Sequence, residues 1–204
     1  GQAPRGDGWV RRPGPVLLEV PIDVLHIPVA ADLVQPPRGL TVRTAPAPAP
    51  QDVAAIIAML RTAERPALLV GNGIRFSGAE PELRRFAEAS GIPVFCGGHG
   101  YGALPYDHPL WGKDFALLSL LAMMGQPGVD GVLVVGARFG MFTGGRLGTP
   151  IAPGVPVAQV DLEPSEFGKL REVNIPVLAD AREALRALAD AAAKIDWPDR
   201  SRWV

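Results

Sequence analysis

Arg65-Pro66-Ala67-Leu68-Leu69-Val70-Gly71-Asn72-Gly73 decides how the chain is read. Ala67–Val70 is apolar at every position, which suits a central strand of a parallel sheet covered by helices on each face. The glycine loop follows at once, where a missing side chain lets backbone N–H groups approach a phosphate or ribose. Upstream, Asp52 is placed to cap a helix with Val53, Ile56, Ile57 and Leu60 on one face, ending near Arg65-Pro66. Downstream, Pro81 fits the first turn of a helix with Leu83, Phe86 and Ala87 inward, and Gly91 stops it.

The alternation continues to the end of the chain. Ile92–Phe95 reads as a strand, Phe115–Met124 as a helix, Val132–Val135 and Val157–Asp161 as strands, and Ile175–Leu178 as a shorter one. A last amphipathic helix over Ala181–Ala193 turns Leu185 and Leu188 inward. Strands apolar throughout, alternating with helices, imply an α/β fold: a doubly wound, Rossmann-like parallel sheet.

The first part of the chain reads differently. Residues 1–15 have no periodicity, Val16–Val20 is a short β-prone run ended by Pro21, and residues 28–50 run through Pro-rich, Ala-Pro sequence that favours extended linker conformation. The chain begins with Gly1, which suggests a processed product or a fragment of something longer. In the 204 residues, 48% are hydrophobic and 20% charged, the balance of a globular protein with one buried core. A formal net charge of -1 supplies no field for nucleic acid. No apolar run approaches the ~20 residues needed to span a bilayer. One cysteine, Cys96, excludes an internal disulfide and suits a reducing cytoplasm. Cys96 itself reads as a small buried hydrophobe.

Several blocks together resemble thiamine-diphosphate-dependent enzymes of the acetolactate synthase, pyruvate oxidase and benzoylformate decarboxylase group. Gly14–Val24 looks like the exit strand of their amino-terminal, pyrimidine-binding domain. Arg65–Gly73, with Glu82-Leu83, Phe86-Ala87-Glu88 and Gly91–Val94, is similar to the opening of their central domain. Gly100–Pro109, Asp130–Phe139 and Val160–Lys169 then follow in the family's order, with Ala179-Asp180 leading to the closing helix. The resemblance implies residues 1–28 as a remnant of the pyrimidine domain, 29–50 as linker, 51–194 as the Rossmann-like central domain, and 195–204 as a linker to a carboxy-terminal domain.

It also implies function and its limits. In the full enzyme, thiamine diphosphate and Mg2+ are held by a Gly-Asp-Gly motif followed at an interval by Asn, in the carboxy-terminal domain. Here Gly6-Asp7-Gly8 has the letters but no strand before it, and Asn72 is the first Asn in the chain. The carboxylate that activates the cofactor lies upstream of this chain, and Glu19 is on the wrong strand to replace it. The expectation is a structural central domain of a 2-keto-acid decarboxylase or carboligase, inactive alone, with no catalytic and no metal residues of its own. Its partners would be the pyrimidine and diphosphate domains of the same polypeptide, in a homo-dimer or tetramer. The alternative is a free-standing nucleotide-binding or regulatory domain for flavin, ADP or coenzyme A.

Five residues are candidates for a nucleotide crevice at the sheet's carboxyl edge. Asn72 and Gly73 would offer backbone donors, Arg138 a charge for a diphosphate, and Asp161 and Glu163 acceptors for ribose hydroxyls. Each has a structural reading beside it: a tight glycine turn with positive φ, a surface or subunit-contact arginine, and a carboxylate pair capping the Ser165-Glu166 turn. The third glycine of a dinucleotide fingerprint is replaced by Phe76. Where flavin-containing relatives have a Gly-Met-His-Gly-like stretch, this chain reads Leu110-Trp111-Gly112-Lys113-Asp114, which argues against FAD. Phe76, Phe139 or Trp111 would fill a vestigial crevice. His26, His99 and His108 have no second metal ligand at a useful spacing and read as loop residues.

Overall fold

The computed structural model describes residues 17–34, 45–140, 143 and 150–203. The chain divides into two units, Gly1–Thr44 and Ala45–Val204. In the first, the described residues hold one helical turn, α1 (Ile22–Leu25), and a 3-10 turn at Ala31–Leu33. The strand expected at Val16–Val20 does not form over residues 17–20, and Val16 lies outside the described residues. A strand is completed by its neighbours' hydrogen bonds, and β propensity alone does not make one. Leu17 and Leu18 are correspondingly exposed, at 92% and 82%.

The second unit contains α2 (Pro50–Thr62), β1 (Pro66–Val70), α3 (Asn72–Ser77), α4 (Glu80–Ser90), β2 (Val94–Cys96) and β3 (Trp111–Asp114). It continues with α5 (Ala116–Met123), β4 (Gly131–Val135), β5 (Val157–Asp161), β6 (Ile175–Leu178) and α6 (Ala181–Ala192). All six strands are parallel, in the order β3-β2-β1-β4-β5-β6, which is the doubly wound order. β1, β4 and β5 are buried at every residue; β1 and β4 are unbroken apolar runs, whereas β5 buries the polar Gln159 and Asp161 among its valines and alanine.

Alternate strand residues feed two cores. Leu68, Val70, Leu133, Val135 and Val160 meet the apolar stripes of α2, α4 and α6. Ala67, Leu69, Val132, Val134 and Val157 meet Phe115, Leu118, Phe139 and Ile151, with Trp203 packed against them. The first face carries the three long helices α2, α4 and α6, with the short α3 adding Ile74; the second carries the short α5 and loops.

Two local expectations are corrected, and one strand is added to them. Asp52 is not the cap of α2: Ala49 precedes the helix with no side-chain bond, and Pro50, whose ring presets a helical φ, starts it. The strand after Gly91 begins at Val94, past Pro93, which has no N–H for a ladder. β3 was not anticipated, because Trp-Gly-Lys-Asp has no apolar run; as an edge strand it is paired on one side only, with a register shift against β2.

Candidate functional site at the carboxyl edge of the sheet

Strand order reverses between β1 and β4, so loops leaving their carboxyl ends should diverge and open a crevice there. Instead they touch. The Gly71 N–H donates to the Val135 carbonyl at 3.3 Å and the Gly73 N–H to the Gly136 carbonyl at 2.9 Å. A Cβ on Gly73 would fall 2.5 Å from the Gly136 Cα, and one on Gly136 would fall 2.6 Å from the Gly73 Cα. Gly71 is extended, with φ −132°, and Gly73 is not among the positive-φ glycines, so the tight-turn explanation of this pair gives way to close approach. Only Gly136 also needs the left-handed region, with φ +58°.

All five candidate residues leave the carboxyl ends of three adjacent strands, β1, β4 and β5. Asn72 opens α3 and is half-buried, while Arg138 stands exposed three residues past the end of β4. Asp161 ends β5 and is 3% exposed; its Oδ1 accepts the Glu163 N–H at 2.9 Å. Glu163 caps the 3-10 turn Pro164–Glu166, its Oε1 accepting from the Ser165 N–H at 3.4 Å and the Ser165 hydroxyl at 2.9 Å. Thus the glycine donor and both acids make bonds inside the fold, as a capped turn demands.

The side chains expected to fill a crevice lie elsewhere. Phe76 is 63% exposed, and Trp111 belongs to the edge strand β3. Phe139 is buried in the second core with the Arg171 guanidinium 5.4 Å from its ring centre.

The other half of this edge, after β2 and β3, is built from side chains, a cluster the sequence did not signal because its members come from separate loops. The Tyr101 phenol donates a short hydrogen bond to Asp114, whose second oxygen accepts the N–H of Ala116, the first residue of α5, at 2.7 Å. Arg75 donates to the Tyr101 carbonyl at 2.9 Å. Tyr101 and Tyr106 meet Trp111 edge-on, with centroids 6.4 and 5.3 Å away. The bond to Asp114, then burial, pushes the Tyr101 phenol up to about 12. Burial, with the Asp114 charge, likewise pushes the Cys96 thiol up to about 12, which leaves it protonated and unreactive near neutrality.

His108 fastens its loop: its Nδ1 accepts the Leu110 N–H at 3.1 Å and its Nε2 faces Glu88 at 3.2 Å. Among the described residues no group of His, Cys, Asp and Glu is arranged to hold a metal ion. Nor is any described helix long and apolar enough to cross a membrane.

Comparison with known proteins agrees with this architecture. Residues 53–188 match the family described as thiamine pyrophosphate enzyme, central domain. The acetolactate synthase large subunit of Corynebacterium glutamicum is 32% identical over 212 residues, covering 95% of this chain and 31% of that protein. A solved structure from Mycobacterium smegmatis, described as a thiamin diphosphate-dependent enzyme, aligns with TM-score 0.60 at 25% identity over 78% of this chain and 30% of its own. Benzoylformate decarboxylase from Polynucleobacter necessarius shares the fold, with TM-score 0.62 at 21% identity over 84% of this chain and 32% of its own. The chain spans about a third of the length of the relatives it matches. A six-stranded parallel sheet in doubly wound order, matched over residues 53–188, makes this chain a member of the thiamine pyrophosphate enzyme central-domain family.

Proposed function

We propose that this chain serves as the central domain of an acetolactate-synthase-like, thiamine-diphosphate-dependent enzyme acting on 2-keto acids, and that it contributes rigidity and domain contacts rather than reacting groups. What carries this reading is similarity along 95% of the chain to about a third of an acetolactate synthase large subunit. In the full enzyme, thiamine diphosphate would supply the electron sink for decarboxylation and carbon–carbon bond formation. Among the described residues no group of His, Cys, Asp and Glu is arranged to hold a metal ion such as its Mg2+. No step of the reaction is therefore assigned to them. The reading places the enzyme in the cytoplasm as a homo-dimer or tetramer.

The free-standing nucleotide module gains nothing from the carboxyl edge. Gly73's N–H is bonded to Gly136, and Asp161 and Glu163 hold their own turn, so Arg138 is the one exposed charge among the five. A nucleotide bound by Asn72, Gly73, Arg138, Asp161 and Glu163 would require the two glycine loops to part.

Two measurements test the proposal together. The chain mixed with thiamine diphosphate, Mg2+ and pyruvate should release no carbon dioxide, and steady turnover would overturn the structural role. FAD, ADP and coenzyme A should leave its melting temperature unchanged. A ligand at a hundred times its dissociation constant would contribute ~2.7 kcal/mol, and a shift of that order would revive the nucleotide reading.

A further inference from the structure

Residues 195–203 follow α6 and lie beyond the matched span 53–188. Read from sequence they are linker, yet side chains fasten them at three points. The Trp197 indole donates to the Ala192 carbonyl at 3.2 Å, and its ring meets Phe86 edge-on at 6.5 Å, on the three-helix face. Arg200 is only 7% exposed. Its Nη2 donates to the carbonyls of Leu60 and Ala63, both at 2.8 Å, and its Nε reaches Ala63 at 3.1 Å.

Leu60 is in the last turn of α2 and Ala63 is the extended residue that ends it, where carbonyls lack intrahelical partners; a guanidinium supplies donors to both and a charge that suits the helix's negative end. The Trp203 indole donates to the carbonyl of Pro66, the first residue of β1, at 2.8 Å. Its ring packs with the other core, on the α5 face. From Trp197 to Trp203 the segment therefore passes from one face of the sheet to the other around the amino end of β1. There Trp203 lines an apolar groove of about 170 Å3 together with Phe95, Trp111, Leu117 and Leu121.

We propose that residues 195–203 are a strap belonging to this domain: Arg200 closes the end of α2 and Trp203 seals the α5 face, so that the two anchors hold or release as one. Release of either frees the α2 carbonyls and removes a groove wall at the same time. The claim differs from two independent contacts in what a pair of substitutions does. Once one anchor is lost the strap leaves, and losing the second changes little.

The test is a thermal double-mutant cycle on the whole chain with Arg200→Met, Trp203→Ala and the double variant. Each single variant should lower the melting temperature, and the double should fall no further than the worse single. Additive losses would overturn the strap. If Arg200→Met does not fold, Arg200→Lys, which keeps the charge but not the guanidinium fork, and Trp203→Phe, which keeps a ring but no N–H, carry the same cycle. Hydrogen exchange gives a second readout: either single variant should speed exchange both in the last turn of α2 and around residues 200–203, while α4 keeps its protection. Acceleration confined to the neighbourhood of the altered anchor would also overturn the proposal.

Discussion

The two halves of the sheet's carboxyl edge are joined by different means. At β1 and β4 the joint is backbone on backbone, with Gly73 and Gly136 so close that no side chain fits between them. At β2 and β3 it is made of side chains, with Tyr101 bonded to Asp114 and two tyrosines set against Trp111. A backbone joint is stiff and intolerant because neither partner can rotate away. A side-chain joint yields and responds to solvent conditions. A glycine-rich loop after a buried strand thus does not by itself announce a ligand: here its N–H groups and its missing Cβ atoms serve the fold.

That contrast predicts a graded series. Gly136→Ala should be the most damaging, since its Cβ would press on Gly73 from a backbone with φ +58°. Overpacking of ~1–3 kcal/mol and a left-handed alanine of ~1–2 kcal/mol sum to roughly 2–5 kcal/mol. Urea unfolding measures it; a loss under about 0.5 kcal/mol, the range of an ordinary surface substitution, would mean that the loops part easily. Asp114→Ala should cost less, ~0.5–2 kcal/mol, as removal of a helix-terminus acceptor does. A loss equal to that of Gly136→Ala would erase the distinction between the halves.

Tyr101→Phe should have the smallest effect at neutral pH, ~0.5–1.5 kcal/mol, and its signature is pH dependence. The folded phenol sits near 12 against an ordinary 10. Its contribution is full below pH 10 and is lost as pH rises through 12. Cys96, near 12 against 9, adds a loss of the same sign beginning lower. Stability of the chain should therefore fall across this alkaline range, and less steeply in Tyr101→Phe. Superimposable pH profiles would show that the Asp114 bond does not hold the phenol in solution.

Much of the scaffold was legible because burial on both sides leaves a mark in sequence. Ala67–Val70 and Val132–Val135 are apolar at every position, as strands buried on both faces are, Val157–Val160 is so apart from Gln159, and Val53, Ile56, Ile57 and Leu60 repeat at helical spacing. β3 left no such mark, for an edge strand need not be apolar, and α3 hid behind Gly-Asn-Gly, residues of low helix propensity. The Val16–Val20 run shows the opposite case: it has the propensity of a strand, yet residues 17–20 form none in this chain, where no described strand pairs with them. At the carboxyl edge the five residues were traceable to strand ends, but sequence spacing cannot say whether Gly73 donates to a phosphate or to Gly136. That depends on the distance between two loops more than sixty residues apart in the chain. The anchoring of residues 195–203 was equally hidden, since Arg200 and Trp203 act on carbonyls far upstream.

Lys113 has φ +71°, the one non-glycine positive φ among the described residues, and it lies in β3, the outermost strand on its side. Its left-handed kink and its charge leave that rim neither flat nor apolar enough to template another strand. At the opposite rim, β6 carries Pro176, which offers no N–H. An open parallel sheet is a stack that could in principle grow at both ends; these two residues terminate it. Crowded copies of this domain are thereby kept from zipping together through their backbones, and any assembly they form must be written in side chains.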